Sequence, residues 1–237
     1  MKIHRFYLNE KINIGKMEIK DQDLIHQIKS VLKLKSEENI VLYNGDSNEA
    51  SAVLKEINKK NVICEIINIK ENGNEPKTKT HLFLAILKKE NFEVAVQKAV
   101  ECGISEITPL LTEKTVKLNI NTERIGKIIK EASEQSGRGM IPVLNKPISV
   151  KDLLPKKNEL TLFFDKSGED IFTLNNNIEN TNFEKMNILI GPEGGWSDDE
   201  NNFALRNEFK IASLGKLTLR AETAVTVASY LANRLFV

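Results

Sequence analysis

Cysteine is scarce in this chain of 237 residues: there are only two, Cys64 and Cys102. They stand in separate patterned segments with no ligand-like spacing to His4, His26 or His81, so neither a disulfide nor a metal site is expected. Glycine (12) and proline (6) are also few, which excludes collagen-like and low-complexity chains. No apolar run approaches the roughly 20 residues needed to cross a bilayer. The start, Met1-Lys2-Ile3-His4-Arg5-Phe6, lacks the apolar stretch and small-residue cleavage pattern of a secretory signal, and a cytoplasmic protein is expected. Charge of one sign is missing as well. The formal net charge is +1, with 12 basic and 12 acidic residues up to position 75 and 22 and 21 beyond it. Any surface for nucleic acid must therefore be a patch made by folding. What is present, 41% hydrophobic and 28% charged residues, is enough for one large or two modest cores.

The pattern of the chain changes near position 73. Before it, short strands dominate: an extended run at 3–8, a strand at 39–43 closed by the turn Asn44-Gly45-Asp46, and two more at 50–57 and 61–69. One helix interrupts them, with Asp21 or Asp23 as its cap and Leu24, Ile28, Val31 and Leu32 on one side. This composition predicts a compact barrel-like domain. Residues 70–77 are almost without apolar content and read as a linker. After them, strands at 82–87, 107–111, 160–164, 188–190 and 209–214 alternate with helices at 90–101, 122–135 and 222–235. A shorter helix is expected after Ser197, whose pattern Ser197-Asp198-Asp199-Glu200 is a capping box. Residues 175–182 are expected to form a polar loop. Such alternation predicts an α/β domain around a largely parallel sheet.

Three segments carry possible chemistry. In Ile188-Leu189-Ile190-Gly191-Pro192-Glu193-Gly194-Gly195-Trp196-Ser197 an apolar strand enters a glycine-rich turn and then a helix start. The glycines allow close approach of a ligand or positive φ, and Pro192 stiffens the bend. A tight strand–helix turn with no ligand explains the same local pattern. The spacing is neither GxGxxG nor a P-loop. In Leu214-Gly215-Lys216-Leu217-Thr218-Leu219-Arg220-Ala221-Glu222-Thr223-Ala224 a second strand end meets a glycine turn and a helix. A first-turn Glu222 suits the helix field by itself. Arg220 suits a phosphate, a carboxylate or a polarised base carbonyl, or a surface pair with Glu222. In Glu134-Gln135-Ser136-Gly137-Arg138 a helix ends at glycine, with polar groups placed for a partner or simply for a helix terminus.

Taken in order, these motifs (GPEGG-W-S-x-x-E, then LG-x-L-x-LR-x-ETA, with EQSGR upstream) resemble the small-subunit ribosomal RNA uridine-N3 methyltransferases called RsmE. The resemblance covers nearly the whole chain. It extends to His4-Arg5-Phe6-Tyr7, the helix at 26–33 and Tyr43-Asn44-Gly45, which look like that family's PUA-like RNA-binding domain. The resemblance implies residues 1–72 as a PUA-like β-barrel and 73–237 as a methyltransferase domain of the SPOUT class, an α/β fold with a deep C-terminal trefoil knot. It implies S-adenosylmethionine as methyl donor without a metal, held by Phe163, Phe164, Gly191, Pro192, Glu193, Gly194, Gly195, Leu214, Gly215, Leu219 and Thr223. Arg220 and Glu222 become the catalytic candidates, and Arg5, Lys33, Lys114, Gln135 and Arg138 the candidates for contact with 16S ribosomal RNA. A homodimer, with RNA meeting both subunits, is implied as well. Lys33 and Lys114 stand where the family tends to have arginine, keeping charge without the planar fork.

Methylating uridine N3 requires its proton to leave, so Arg220 is expected to stabilise negative charge at a base carbonyl, with Glu222 accepting a proton or fixing Arg220 and the cofactor. Base extrusion is the general route to a stacked base atom. The rival readings are another knotted methyltransferase, for instance one acting on ribose 2′-O, and a non-catalytic RNA-binding assembly protein.

Overall fold

The computed structural model describes residues 3–115, 119–154, 156–178 and 183–236. The chain divides into two units: Met1–Glu75 with Ser133–Ile141, and Pro76–Ala132 with Pro142–Val237.

The first unit is built on strands β1 (His4–Tyr7), β2 (Gly15–Ile19), β3 (Asn39–Tyr43), β4 (Asn48–Ile57) and β5 (Val62–Glu71), with helix α1 (Gln22–His26) after β2. The sheet order is β1-β3-β4-β5-β2, parallel between β1 and β3 and antiparallel elsewhere. Strand alternation supplies the core: Ile40 and Leu42, then Ala50, Ala52 and Leu54, then Val62, Cys64 and Ile66 all turn inward, two residues apart as a pleated strand demands. Of the two cap candidates it is Asp21 that accepts from Leu24 N, at 2.9 Å. The helix then loosens into a π-helical turn, Gln27–Val31. Strand β2 was not expected, because Met17 and Ile19 are too few to mark a period.

Residues 70–75 of the linker expected at 70–77 are structured within this unit. Strand β5 runs through Glu71. Asn72 is buried and its amide donates to Glu49 and to Gly137 O. Glu75 receives two bonds from the Arg138 guanidinium, at 3.2 and 2.7 Å, and backbone N–H groups of Gly139 and Met140. Polar composition here marks hydrogen bonding to a distant segment of the chain.

The second unit contains β6 (Lys79–Ala85), α2 (Lys89–Glu101), β7 (Glu106–Leu111), α3 (Thr122–Ser136), β8 (Val143–Leu144), β9 (Ile148–Ser149), β10 (Glu159–Asp170), α4 (Ile171–Asn177), β11 (Lys185–Ile190), α5 (Asp198–Arg206), β12 (Lys210–Ser213) and α6 (Ala221–Leu235). From Ser133 onward, α3 clusters with the first unit. The sheet order is β12-β10-β11-β6-β7-β8, with β9 also pairing β7. Its ladders are parallel. A parallel sheet is covered on both faces, which explains the unbroken apolar run Leu82-Phe83-Leu84-Ala85. One covered face packs Phe83, Leu110, Phe163 and Leu189 against Trp196, Ala204 and Phe209. Gly103 ends α2 with φ +92°, where a Cβ would also lie 2.5 Å from Pro76 Cγ.

The polar loop expected at 175–182 is corrected in part. Residues 175–177 finish α4, which is capped by Asp170 and buries Ile171 and Leu174; residues 179–182 lie outside the described residues.

Candidate active site

In an open parallel sheet the carboxyl ends of the strands leave helix N-termini and loops around a crevice. Here the ends of β10, β11 and β12 bound a cleft of about 610 Å³. Phe164 closes the regular part of β10. The next residues, 165–168, bulge before β10 resumes pairing with β12 at Glu169. Gly168 makes the return possible, since a Cβ there would come within 2.7 Å of the Ala212 backbone.

The glycine-rich turn follows β11. Gly195 adopts φ +68° and donates its N–H to Pro192 O at 2.9 Å, closing the turn. Gly191 is required for another reason: a Cβ would sit 2.9 Å from Trp196 Cε2. Trp196 is buried, stacks on Phe163 with ring centroids 4.4 Å apart, and donates Nε1–H to Phe164 O at 2.9 Å. The indole thus ties the glycine turn to the end of β10. The expected capping box is formed: Ser197 Oγ accepts from Glu200 N, and Glu200 Oε2 accepts from Ser197 N.

The third wall follows β12. Gly215, at φ +106°, exchanges hydrogen bonds with the Ser213 hydroxyl at 3.2 Å, and the chain then reaches α6 through Leu219 and Arg220. Arg220 occupies the N-cap position without a side-chain cap bond. It is exposed at the cleft wall and, among the described residues, enters no ion pair. The surface pair with Glu222 is therefore not formed. Glu222 also lines the cleft, and its Oε2 is buried without a hydrogen-bond donor among the described residues. Lys166 Nζ donates to Thr218 Oγ1 at 3.3 Å, joining the β10 bulge to this wall.

Of the residues expected to hold a cofactor, Phe164, Gly191, Pro192, Glu193, Gly195, Leu214, Gly215 and Leu219 line the cleft, together with Arg220 and Glu222. Phe163 lies beneath it as the stacking partner of Trp196. Gly194 and Thr223 are not in the lining. The lining also includes Lys88, Asn91, Asp165 and Lys166, which sequence reasoning missed. Lys88 and Asn91 begin α2, after β6, and only the strand order puts that turn beside β11. Glu193 Oε1 accepts from Lys88 N and Asn91 Nδ2, both at 3.4 Å.

The residues expected to meet RNA have diverse surroundings. Lys33 and Gln135 are exposed. Arg5 is half-buried, bonded to Glu49 at 2.6 Å and to Arg138 O. Arg138 is 5% exposed and held by Glu75, so its charge serves an internal ion pair of the first unit. Lys114 is bonded to the glycine turn.

The chain matches the family described as RNA methyltransferase domain over residues 74–233, and that described as RNA methyltransferase PUA domain over 19–67. It is 34% identical over 235 residues to ribosomal RNA small subunit methyltransferase E of Rickettsia conorii, covering 96% of this chain and 94% of the relative. With the protein of the same name from Mesomycoplasma hyopneumoniae it shares 36% over 230 residues, 94% and 95% of the two chains. Among solved structures it is similar to the Neisseria gonorrhoeae methyltransferase E bound to S-adenosyl methionine (TM-score 0.89, 26% identity, 99% of this chain and 98% of that one). It is similar also to a putative methyltransferase of Legionella pneumophila in complex with that cofactor (TM-score 0.87, 30% identity, 98% and 97%).

Proposed function

The chain belongs to the ribosomal RNA small subunit methyltransferase E family, and from that premise we propose that it methylates N3 of a uridine in 16S ribosomal RNA. It is an S-adenosylmethionine-dependent methyltransferase of small-subunit ribosomal RNA. The observation that carries the finer reading is the meeting of two motif segments, 191–195 and 214–222, with the end of β10 around one cleft, with Arg220 and Glu222 both in its wall.

The residues fit the cofactor. The volume lies within the roughly 300–1,000 Å³ common for small-molecule sites. Gly191 and Gly195 bring backbone to the cleft surface. The donorless Oε2 of Glu222 suits a ligand carrying positive charge, and S-adenosylmethionine has both an ammonium and a sulfonium. When bound, it supplies an electrophilic methyl group. Phe164, the 191–195 turn and Leu214, Gly215 and Leu219 hold it in place. Gly194 and Thr223 support that hold from outside the lining.

Arg220 stabilises the negative charge that develops on a uridine carbonyl as the N3 proton leaves, which a guanidinium without an acidic partner among the described residues is placed to do. Glu222 accepts that proton or fixes the cofactor. Lys33 and Gln135, both exposed, contact the RNA backbone. Residues 1–72 serve as the PUA-like RNA-binding module and 73–237 as the methyltransferase module. A trefoil knot at the cleft is assigned on the family resemblance. We assign a homodimer as the working assembly, on the family resemblance.

The reaction is tested by incubating the protein with labelled S-adenosylmethionine and small ribosomal subunits lacking uridine N3 methylation. Nucleosides are then separated by mass. Label in 3-methyluridine is expected. Label in a ribose-methylated nucleoside, or none at all, refutes the N3 assignment.

A further inference from the structure

Resting on that reading, we propose that Lys114 is a positioning residue for the cofactor-binding glycine turn, and that its ammonium presets the turn for S-adenosylmethionine. Lys114 stands in the turn after β7. Its Nζ donates to Gly194 O at 3.1 Å and to Trp196 O at 2.8 Å. Neither Lys114 nor Gly194 lines the cleft, whereas Gly191, Pro192, Glu193, Gly195 and Trp196 do. The ammonium thus grips the turn from outside the surface that meets the ligand. Its stem packs along the turn: a Cβ on Gly194 would lie 3.4 Å from Lys114 Cδ and 3.5 Å from its Cβ, ordinary contact distances.

The gripping turn is itself anchored. Glu113 N donates to Glu200 Oε1 at 3.0 Å, and Glu200 is the buried capping residue of α5. The Thr112 and Thr115 hydroxyls are bonded at 2.7 Å. Helix α5, the turn after β7 and the glycine turn therefore close one hydrogen-bonded circuit. Two carbonyls held by one cation form charge-assisted bonds, stronger than neutral ones. Without the ammonium, both carbonyls depend on solvent, and Trp196, which carries the bond to Phe164, loses its fixed backbone. Such a loss weakens ligand binding by removing preorganisation.

The test compares wild type with Lys114→Met, which keeps the stem without donors, and Lys114→Arg, which keeps donors. Cofactor binding is measured by calorimetry, steady-state turnover gives KM and kcat, and binding of small-subunit RNA without cofactor is measured at several salt concentrations. For Lys114→Met the cofactor Kd and KM are expected to rise about tenfold, with kcat at saturation within about twofold of wild type. Lys114→Arg is expected to recover most of the loss, and RNA affinity and its salt slope to stay unchanged. Lys114→Gln, measured in the same way, guards against a folding defect peculiar to methionine. Wild-type cofactor affinity in Lys114→Met and Lys114→Gln overturns the inference. So does a loss of RNA affinity with a salt slope lower by about one, the mark of a phosphate contact. Absence of cofactor binding in the wild type itself sinks the functional reading and takes this inference with it.

Discussion

Replacing Gly191 with alanine puts a methyl group 2.9 Å from Trp196 Cε2, 3.1 Å from Nε1 and 3.2 Å from Cδ2. Carbon atoms pack at about 3.5–4.0 Å, so the ring or the turn must move by roughly half an ångström. The ring has little room. Phe163 stacks behind it at 4.4 Å, and Nε1 is bonded to Phe164 O. If the ring moves, that bond weakens; if the turn moves, it shifts the cleft wall. Overpacking of this kind costs about 1–3 kcal/mol, and a lost neutral hydrogen bond about 0.5–1.5 kcal/mol. Gly191→Ala is therefore expected to lower the thermal unfolding midpoint by several degrees and raise the cofactor Kd about tenfold or more. Trp196 is the chain's single tryptophan, so its emission reports the displaced ring directly. Unchanged midpoint, emission and cofactor affinity would refute the claim that indole and glycine turn form one tightly packed support.

Arg138→Met breaks the buried pair with Glu75, and a loss of about 3–5 kcal/mol is expected in chemical unfolding; a fully stable variant with weakened RNA binding would return Arg138 to the RNA surface. Glu222→Gln removes a charge from a buried oxygen that lacks a donor. The free protein should be no less stable, while turnover falls by about 100-fold or more; unchanged turnover contradicts the role given to Glu222. Burial, helped by the Lys185 ammonium, pushes the His81 pKa down to about 4 from 6.5. Between those values the unfolded chain binds a proton that the folded chain refuses, so stability is full above pH 6.5 and declines as pH falls toward 4. Unfolding free energies measured across that window should flatten in His81→Gln, and an equal slope in both proteins would exclude His81 as the source.

What the sequence revealed, and what it hid, follows the range of the interactions. Ser197-Asp198-Asp199-Glu200 was legible because a capping box is satisfied within four residues. Gly195 and Gly215 were legible as turn glycines because positive φ is a local demand. The purpose of Gly191 was not, since it depends on how the Trp196 ring packs, and neither was the tie of the turn to a lysine 80 positions away. Helix α4 was hidden by its asparagines, which favour turns, although Ile171 and Leu174 bury one face. The polar run at 70–77 looked like a linker because its partners, Gly137, Arg138 and Gly139, lie 63 to 65 positions off. Lys88 and Asn91 carried no motif and joined the cleft only through the crossover that sets β6 beside β11. Lys114 was expected to contact RNA, and its two carbonyl acceptors in the glycine turn carried no sequence signal.

The central claim, that one cleft binds the methyl donor and that Arg220 drives transfer to uridine, is tested most directly by comparing wild type and Arg220→Ala with labelled S-adenosylmethionine and unmethylated small subunits. Cofactor affinity is measured on both proteins. The account predicts 3-methyluridine from the wild type and none from Arg220→Ala, with cofactor affinity nearly equal in the two. Full activity in Arg220→Ala, or loss of cofactor binding along with turnover, would contradict the role given to Arg220.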